Sequence, residues 1–286
     1  MAPGYHPWFS HWISILPGAT KEEHYRQLFS PSGEHQEMFE RLLPHLPEPI
    51  PLADVLAELR KNLSSFPQAM LGEVGLDRAA RVPIEYAATP RELTQFIVPL
   101  EHQLAILEPQ IDLAVEFRRN VSIHSVRSQQ ATLDLLSRMH QKHGSEWQRI
   151  SIDFHSCGLG VETWKVIEVF VLHLIVLYNT ASHCTQKNHL NVYMSLSTVI
   201  NGRSSNLRAL IEACSPSRIL VESDYHPVEQ CAERTWEMVL TVAEIKGWAV
   251  ETTWIEDLRV EDWGIVRRLK RNWQEFQKGN HINPLL

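Results

Sequence analysis

Four short apolar runs in this chain end in a carboxylate or an imidazole. They are Gly72-Glu73-Val74-Gly75-Leu76-Asp77, Ile123-His124-Ser125, Asp153-Phe154-His155-Ser156 and Val221-Glu222-Ser223-Asp224-Tyr225-His226. Histidine nitrogen and carboxylate oxygen together suit Zn, Mn, Fe or Mg, and a carboxylate can bridge two ions where an imidazole cannot. Glu73 is the natural bridge of the series. Two ions about 3.5–4 Å apart clamp a phosphate, acidify a bound water and stabilise both attacking and leaving oxygens. That chemistry serves phosphodiesters, amides and lactones alike. A single His at a strand end is more often a hydrogen-bonded structural residue, and Asp224 before Tyr225-His226-Pro227 could simply cap a helix. Four such stops in order are what point to a metal.

The elements that must carry these residues are short β-branched runs alternating with helical ones. The runs 71–76, 121–124, 150–155, 192–196 and 219–222 read as strands bounded by polar residues or Gly. Residues 51–63 open with Pro51 and place Leu52, Val55, Leu56 and Leu59 on one stripe, as an amphipathic helix does. A helix is likewise expected over 90–117, with Thr89 as its N-cap, and others over 127–141, 204–213, 228–246 and 255–277. Such alternation implies parallel strands joined by crossover helices. At strand ends of a parallel barrel, side chains reach one common face.

Length and composition agree with one main domain. The 286 residues are near the size of a single (β/α)8 barrel, and 44% hydrophobic content can bury a large core. No short repeat, low-complexity tract or linker composition is visible, and 44–51 reads as a Pro-rich loop. A formal charge of −7 argues against a globally basic nucleic-acid surface but leaves a local basic groove open. Cys157, Cys184, Cys214 and Cys231 are too widely spaced for a zinc knuckle and read as reduced thiols. The N-terminal residues lack the basic and apolar regions of a secretory signal, so a cytoplasmic or nuclear setting is the simplest expectation. The apolar window 166–178, with Glu168 and His173 inside it, is shorter than the roughly 20 residues a spanning helix needs, and no membrane association is expected.

Together, Gly72-Glu73-Val74-Gly75-Leu76-Asp77, His124, His155 and Glu222-Ser223-Asp224 resemble the signature of the TatD family of metal-dependent hydrolases. Gly4-Tyr5-His6-Pro7-Trp8 is similar to that family's G-x-H-P element, so the likeness spans nearly the whole chain. It is nearest to the fungal TatD-like branch described as partners of a cell-cycle TPR protein. The resemblance implies a TIM barrel of the amidohydrolase type, with metal-dependent DNase or 3′–5′ exonuclease activity on DNA. On that pattern Glu73 bridges two divalent ions (Mg, Mn or Zn) and His124 and His155 bind the second. Asp224 binds the first and orients the water, making Glu73 and Asp224 the catalytic pair, and His6 lies near the substrate phosphate.

Two departures temper these expectations. The family's Asp-x-His-x-His strand is not found in this sequence, so the barrel is expected to be N-terminally incomplete, short of about a quarter of its staves, with one metal rather than two. Residues 164–188 read as an insertion, after which Asn188-His189-Leu190-Asn191-Val192-Tyr193 resumes the pattern. An interaction protein that keeps the fold without catalysis and a hydrolase of non-nucleic substrates are the two alternatives. Among the remaining residues, Asp77 reads as a loop-organising acceptor and Arg127 as a solvated helix residue. The run Arg267-Arg268-Leu269-Lys270-Arg271 reads as a solvated helix face, and the C-terminal Trp residues as core.

Overall fold

The structure, a computed structural model, describes residues 4–168 and 189–282. Most of 164–188 therefore lies outside the described residues, as does 169–178 of the apolar window. The chain divides into two compact units, Met1–Ser128 and Gln129–Leu286. Among the described residues no helix is long and apolar enough to cross a membrane.

In the first unit a 3-10 turn, Pro7–Trp12, leads into β1 (Ile13–Ser14). Helices α1 (Lys21–Phe29) and α2 (His35–Leu42) follow, then β2 (Ile50–Pro51), parallel to β1, and α3 (Leu52–Ser65). Thr20 and Glu23 close a reciprocal capping box at the start of α1, an arrangement typically worth about 1 kcal/mol. Next come β3 (Leu71–Asp77), an antiparallel pair of β4 (Arg81–Pro83) and β5 (Leu93–Ile97), α4 (Leu100–Phe117) and β6 (Val121–Val126). Strands β3 and β6 are parallel, with Gly75 opposite His124 and Asp77 opposite Val126. Val55, Leu59 and Leu63 form the buried stripe of α3, one turn further along than the sequence placed it.

The expected helix over 90–117 is two elements. Glu92 to Ile97 alternates: Thr94 and Phe96 are buried while Leu93 and Ile97 are exposed, the period of a strand rather than a helix. The helix begins only after Pro99, at Leu100. Phe96, Val82 and Val98 then pack with Tyr25, Phe39, Leu42 and Leu46 in one apolar cluster, which fixes the β4–β5 hairpin to α1 and α2.

The second unit runs α5 (Gln129–His143), β7 (Ile152–Phe154), α6 (Val161–Glu168), β8 (Val192–Leu196), α7 (Thr198–Asn201), α8 (Leu207–Ala213), β9 (Ile219–Val221), α9 (Val228–Lys246) and α10 (Ile265–Lys278). Strands β7, β8 and β9 are parallel neighbours, with Phe154 opposite Met194 and Leu196 opposite Val221. Trp147, Phe154, Trp164, Met194, Ile219 and Phe276 are among its fully buried side chains. The described cysteines, Cys157, Cys214 and Cys231, are free thiols. These strands and crossover helices establish an α/β fold; the strands of each unit do not by themselves draw a closed eight-stranded barrel.

Two helix starts differ from expectation for local reasons. Arg127 has a φ of 50°, a left-handed conformation that no helix continues through, so α5 starts at Gln129 and Arg127 is an exposed bend residue. Helix α10 starts at Ile265 because the Glu251 carboxylate accepts the Val266 N–H at 2.8 Å and caps it there. The basic run on α10 is not a freely solvated face. Arg267 is buried with its guanidinium 3.8 Å from the Trp254 ring centroid, Arg268 lies over Trp248 and Lys270 over Trp254. Trp254 and Trp273 are close to half exposed rather than core: Arg267 and Lys270 lie against Trp254, and Trp273 stacks on Phe276.

Gly75 sets the spacing of β3 and β6. A Cβ there would lie 2.0 Å from the His124 carbonyl oxygen, and its φ of +150° already disfavours a side chain. Gly75→Ala is expected to lower the unfolding free energy by about 2–3 kcal/mol, read as a lower urea midpoint. An unchanged midpoint would show that the two strands can separate at no cost.

Candidate metal centre

Glu73 and Asp77 both lie on β3, and His124 lies opposite them on β6. The imidazole is held from both sides. His124 Nδ1 is 2.9 Å from Glu73 Oε1, and Nε2 is 3.1 Å from Asp77 Oδ2. With a carboxylate at each ring nitrogen, both nitrogens are donors, the form that carries a positive charge. Burial opposes that charge, but the two carboxylates outweigh it and raise the His124 pKa above its ordinary value.

Asp77 is 4% exposed and its hydrogen bonding is saturated. Oδ1 accepts the N–H groups of Ala79 and Ala80 at 2.7 and 2.8 Å, and Oδ2 accepts the Trp8 indole N–H at 2.7 Å in addition to His124. Burial pushes its pKa up, but the bonds from His124, Trp8, Ala79 and Ala80 together prevail and hold the carboxyl at about 2. Its main chain is clamped as well: Gln103 on α4 accepts the Asp77 N–H at 2.7 Å and donates to the Asp77 and Val98 carbonyls at 2.8 Å. The loop-organising role read from the sequence describes Asp77 well, and it also fixes the ring of a neighbouring ligand.

His6 joins Glu73 and His124. Its Nε2 is 3.5 Å from Glu73 Oε1 and its ring is 4.5 Å from that of His124, edge to face. Among the described residues, His6, Glu73 and His124 form the group of three whose ligand atoms all lie within 4.8 Å of one another. The donor set of two imidazoles and a carboxylate fits one divalent ion such as Zn or Mn. His124 is well prepared, because Asp77 would keep the proton on Nε2 while Nδ1 turned to the metal, the carboxylate–histidine–metal arrangement. His6 comes with a condition. Its Nδ1 accepts the Trp8 N–H at 3.1 Å, so its ring proton sits on Nε2, and Nε2 becomes a ligand only if that bond is given up. The sequence placed His6 beside the substrate; the structure places it at the cluster with a donor N–H facing Glu73.

His155 and Asp224 come together in the second unit in a matching pattern. His155 Nδ1 is 2.7 Å from Glu222 Oε2, and Nε2 is 3.3 Å from Asp224 Oδ1. The Ser156 hydroxyl donates to Asp224 Oδ2 at 2.8 Å, and the Ser156 N–H donates to Glu222 Oε1. Ser156 and Asp224 both have positive φ, 38° and 47°, which turns the two strand ends toward each other. Behind them Asp153 is buried and accepts the Ser195 hydroxyl at 2.7 Å; burial and the Glu222 charge raise its pKa. Glu222 and Ser156 were present in the quoted motifs without an assigned role. Glu222 sits two residues before Asp224 at the end of the same strand, and that spacing was the available signal.

An ordered set of strand-end imidazoles and carboxylates on an α/β scaffold, with one triad able to hold a divalent ion, defines a metal-dependent hydrolase. Residues 2–255 match the TatD related DNase family, and the chain belongs to that family. It is 26% identical over 268 residues to the Cut9-interacting protein scn1 of Schizosaccharomyces pombe, covering 87% of this chain and 78% of that protein. Among solved structures it is similar to the TatD homologue YjjV of Escherichia coli K12, with a TM-score of 0.49 at 16% identity over 80% of this chain and 71% of that one. It is also similar to a TatD family hydrolase of Entamoeba histolytica, with a TM-score of 0.48 at 14% identity over 79% and 67%.

The two shifted groups act at opposite ends of the pH range. Asp77 falls from 3.8 to about 2, so its stabilisation is complete above about pH 4 and is lost as pH drops toward 2. His124 is raised, so its contribution is complete below pH 6.5 and fades as pH climbs through its higher folded value. Asp77→Asn in metal-free protein is expected to cost on the order of 2 kcal/mol near pH 6 and to flatten the acid limb between pH 4 and 2. Urea unfolding at a series of pH values measures both; an acid limb as steep as that of the wild type would count against this assignment.

Proposed function

We propose that this protein hydrolyses phosphodiester bonds of DNA with the help of a divalent ion held by Glu73 and His124, with His6 as the third donor. The observation that carries this reading is the triad itself, with Asp77 fixing the second nitrogen of His124. A bound ion would supply Lewis acidity toward a phosphoryl oxygen and toward water. The chain's own groups do the rest. Glu73 offers the negative oxygen at which the cluster gathers, Asp77 holds the His124 ring in one orientation, and His6, with its ring proton moved to Nδ1, would present Nε2 beside Glu73 as the third donor. His155 and Asp224 are the further pair that the sequence assigns to metal binding and to orienting water, and Ser156 and Glu222 hold them in place. A (β/α)8 barrel lacking its first strands and 3′–5′ exonuclease polarity belong to the same proposal.

The test is hydrolysis of end-labelled single-stranded DNA with Mg or Mn. Wild-type protein is expected to trim the strand and to stop when a chelator is added. Glu73→Gln, His124→Ala and Asp224→Asn are each expected to lose at least about 100-fold in rate. Metal-independent cleavage, or full activity in these variants, would overturn the assignment.

The likeness to the Cut9-interacting protein scn1 favours a second property, binding of a TPR-containing protein partner. Such binding would use the folded surface rather than the cluster. A co-precipitation with a purified TPR protein should therefore give equal recovery with wild type and Glu73→Gln. Loss of recovery in that variant would tie the partner to the metal centre instead.

A further inference from the structure

A cavity of about 280 Å³ opens beside the triad inside the first unit, and it shares Trp8 and Asp77 with the metal centre. We infer that this cavity is a binding subsite for one nucleobase of the substrate; the inference rests on the nucleic-acid reading above. Its volume is at the small end for ligand pockets, which run from roughly 300 Å³, and suits one planar heterocycle with part of its sugar.

Its walls carry the chemistry for that occupant. Trp8 is 44% exposed, and its ring is pinned by the indole N–H on Asp77, so a large flat surface is held rigid at the cavity edge. The Tyr86 hydroxyl donates to the Trp8 carbonyl at 3.0 Å and ties the hairpin side of the cavity to the same residue. Leu93, half exposed, adds apolar surface. Arg91 Nε donates to the Tyr86 carbonyl at 2.8 Å, and Arg81 Nε donates to the Thr94 carbonyl. Each guanidinium plane is thereby set from one side, and neither is held in an ion pair among the described residues.

The carboxylate in the lining, Asp77, has both oxygens committed to N–H donors and offers no acceptor to a cationic ligand. A rigid indole, apolar walls and two guanidinium groups in the lining match a base with its attached phosphate, through stacking and charge-assisted hydrogen bonds. A base lodged there would bring its phosphate toward the His6, Glu73 and His124 cluster, because Trp8 spans both. Its ring makes edge contacts with His6 at 4.9 Å and with His124 at 6.1 Å between centroids. Pro7, Trp8 and Asp77 of the lining lie in sequence motifs, but the hairpin wall between Ala79 and Val98 carries no motif that would have signalled the site.

The experiment is calorimetric binding of dAMP and dTMP to metal-free full-length protein, with deoxyribose 5-phosphate as the baseless control. Wild type is expected to bind the nucleotides at least tenfold more tightly than the control. Ala80→Phe, which fills the cavity, and Arg91→Ala are each expected to weaken nucleotide binding at least tenfold, with wild-type circular dichroism and thermal midpoint. No nucleotide binding by wild type, equal affinity for the baseless phosphate, or undiminished binding by both folded variants would overturn the inference. The readout needs neither metal nor turnover. Nucleotide binding by a protein that cleaves no DNA would support the subsite while removing the hydrolase reading, and cleavage without nucleotide binding would do the reverse.

Discussion

Everything in the first unit's site depends on one half-buried imidazole held between two carboxylates. Glu73 and Asp77 face the two nitrogens of His124 and favour its charged form, and Asp77 stays ionised at low exposure because four N–H groups converge on it. Removing His124 leaves the buried Asp77 carboxylate without its imidazole, and removing Asp77 leaves His124 with Glu73 alone; losing a partner in this way is the costly event in such networks. A divalent ion entering at Nδ1 would replace a proton rather than fill a void. With His124 protonated, its imidazolium and the two carboxylates sum to −1, and a divalent ion in place of the proton would bring the set to neutral; small zinc modules, by contrast, do not fold until the ion binds.

The same motif, a strand-end imidazole facing two carboxylates from the end of another strand, recurs in the second unit with His155, Glu222 and Asp224. The two copies differ in how their acids are spaced. Glu73 and Asp77 stand four residues apart along one strand, which the close pairing at Gly75 accommodates, whereas Glu222 and Asp224 are separated by a single serine and need a left-handed turn to face the ring. In each case the acid that fixes the ring is supplied by backbone geometry as much as by side-chain choice.

Much of this was legible in the sequence because strand ends are marked by an abrupt change from apolar to ionisable residues. Glu73, His124, His155 and Asp224 were found that way, and the structure brings the first two together and the last two together. What was not legible depended on contacts distant in sequence. Residues 90–117 contain enough Leu and Ile to mimic one long helix, and only the burial of Thr94 and Phe96 reveals the strand. His6 was read from a turn motif, and nothing local shows that its ring reaches Glu73, 67 positions later. The basic run on α10 looked solvated because its partners, Trp248 and Trp254, come from the preceding loop, and cation–π stacking has no sequence period.

The Gln103 side chain couples α4 to the end of β3: its one amide makes two hydrogen bonds with the Asp77 main chain and a third with the Val98 carbonyl just before the helix. Because a single rotamer makes all three, they break together. Opening of the Asp77 segment and slippage of the first turns of α4 are thus one event rather than two. Slow amide exchange at Asp77 then reports the integrity of a helix that begins 23 residues downstream, and the floor of the metal centre is as durable as that helix's anchorage.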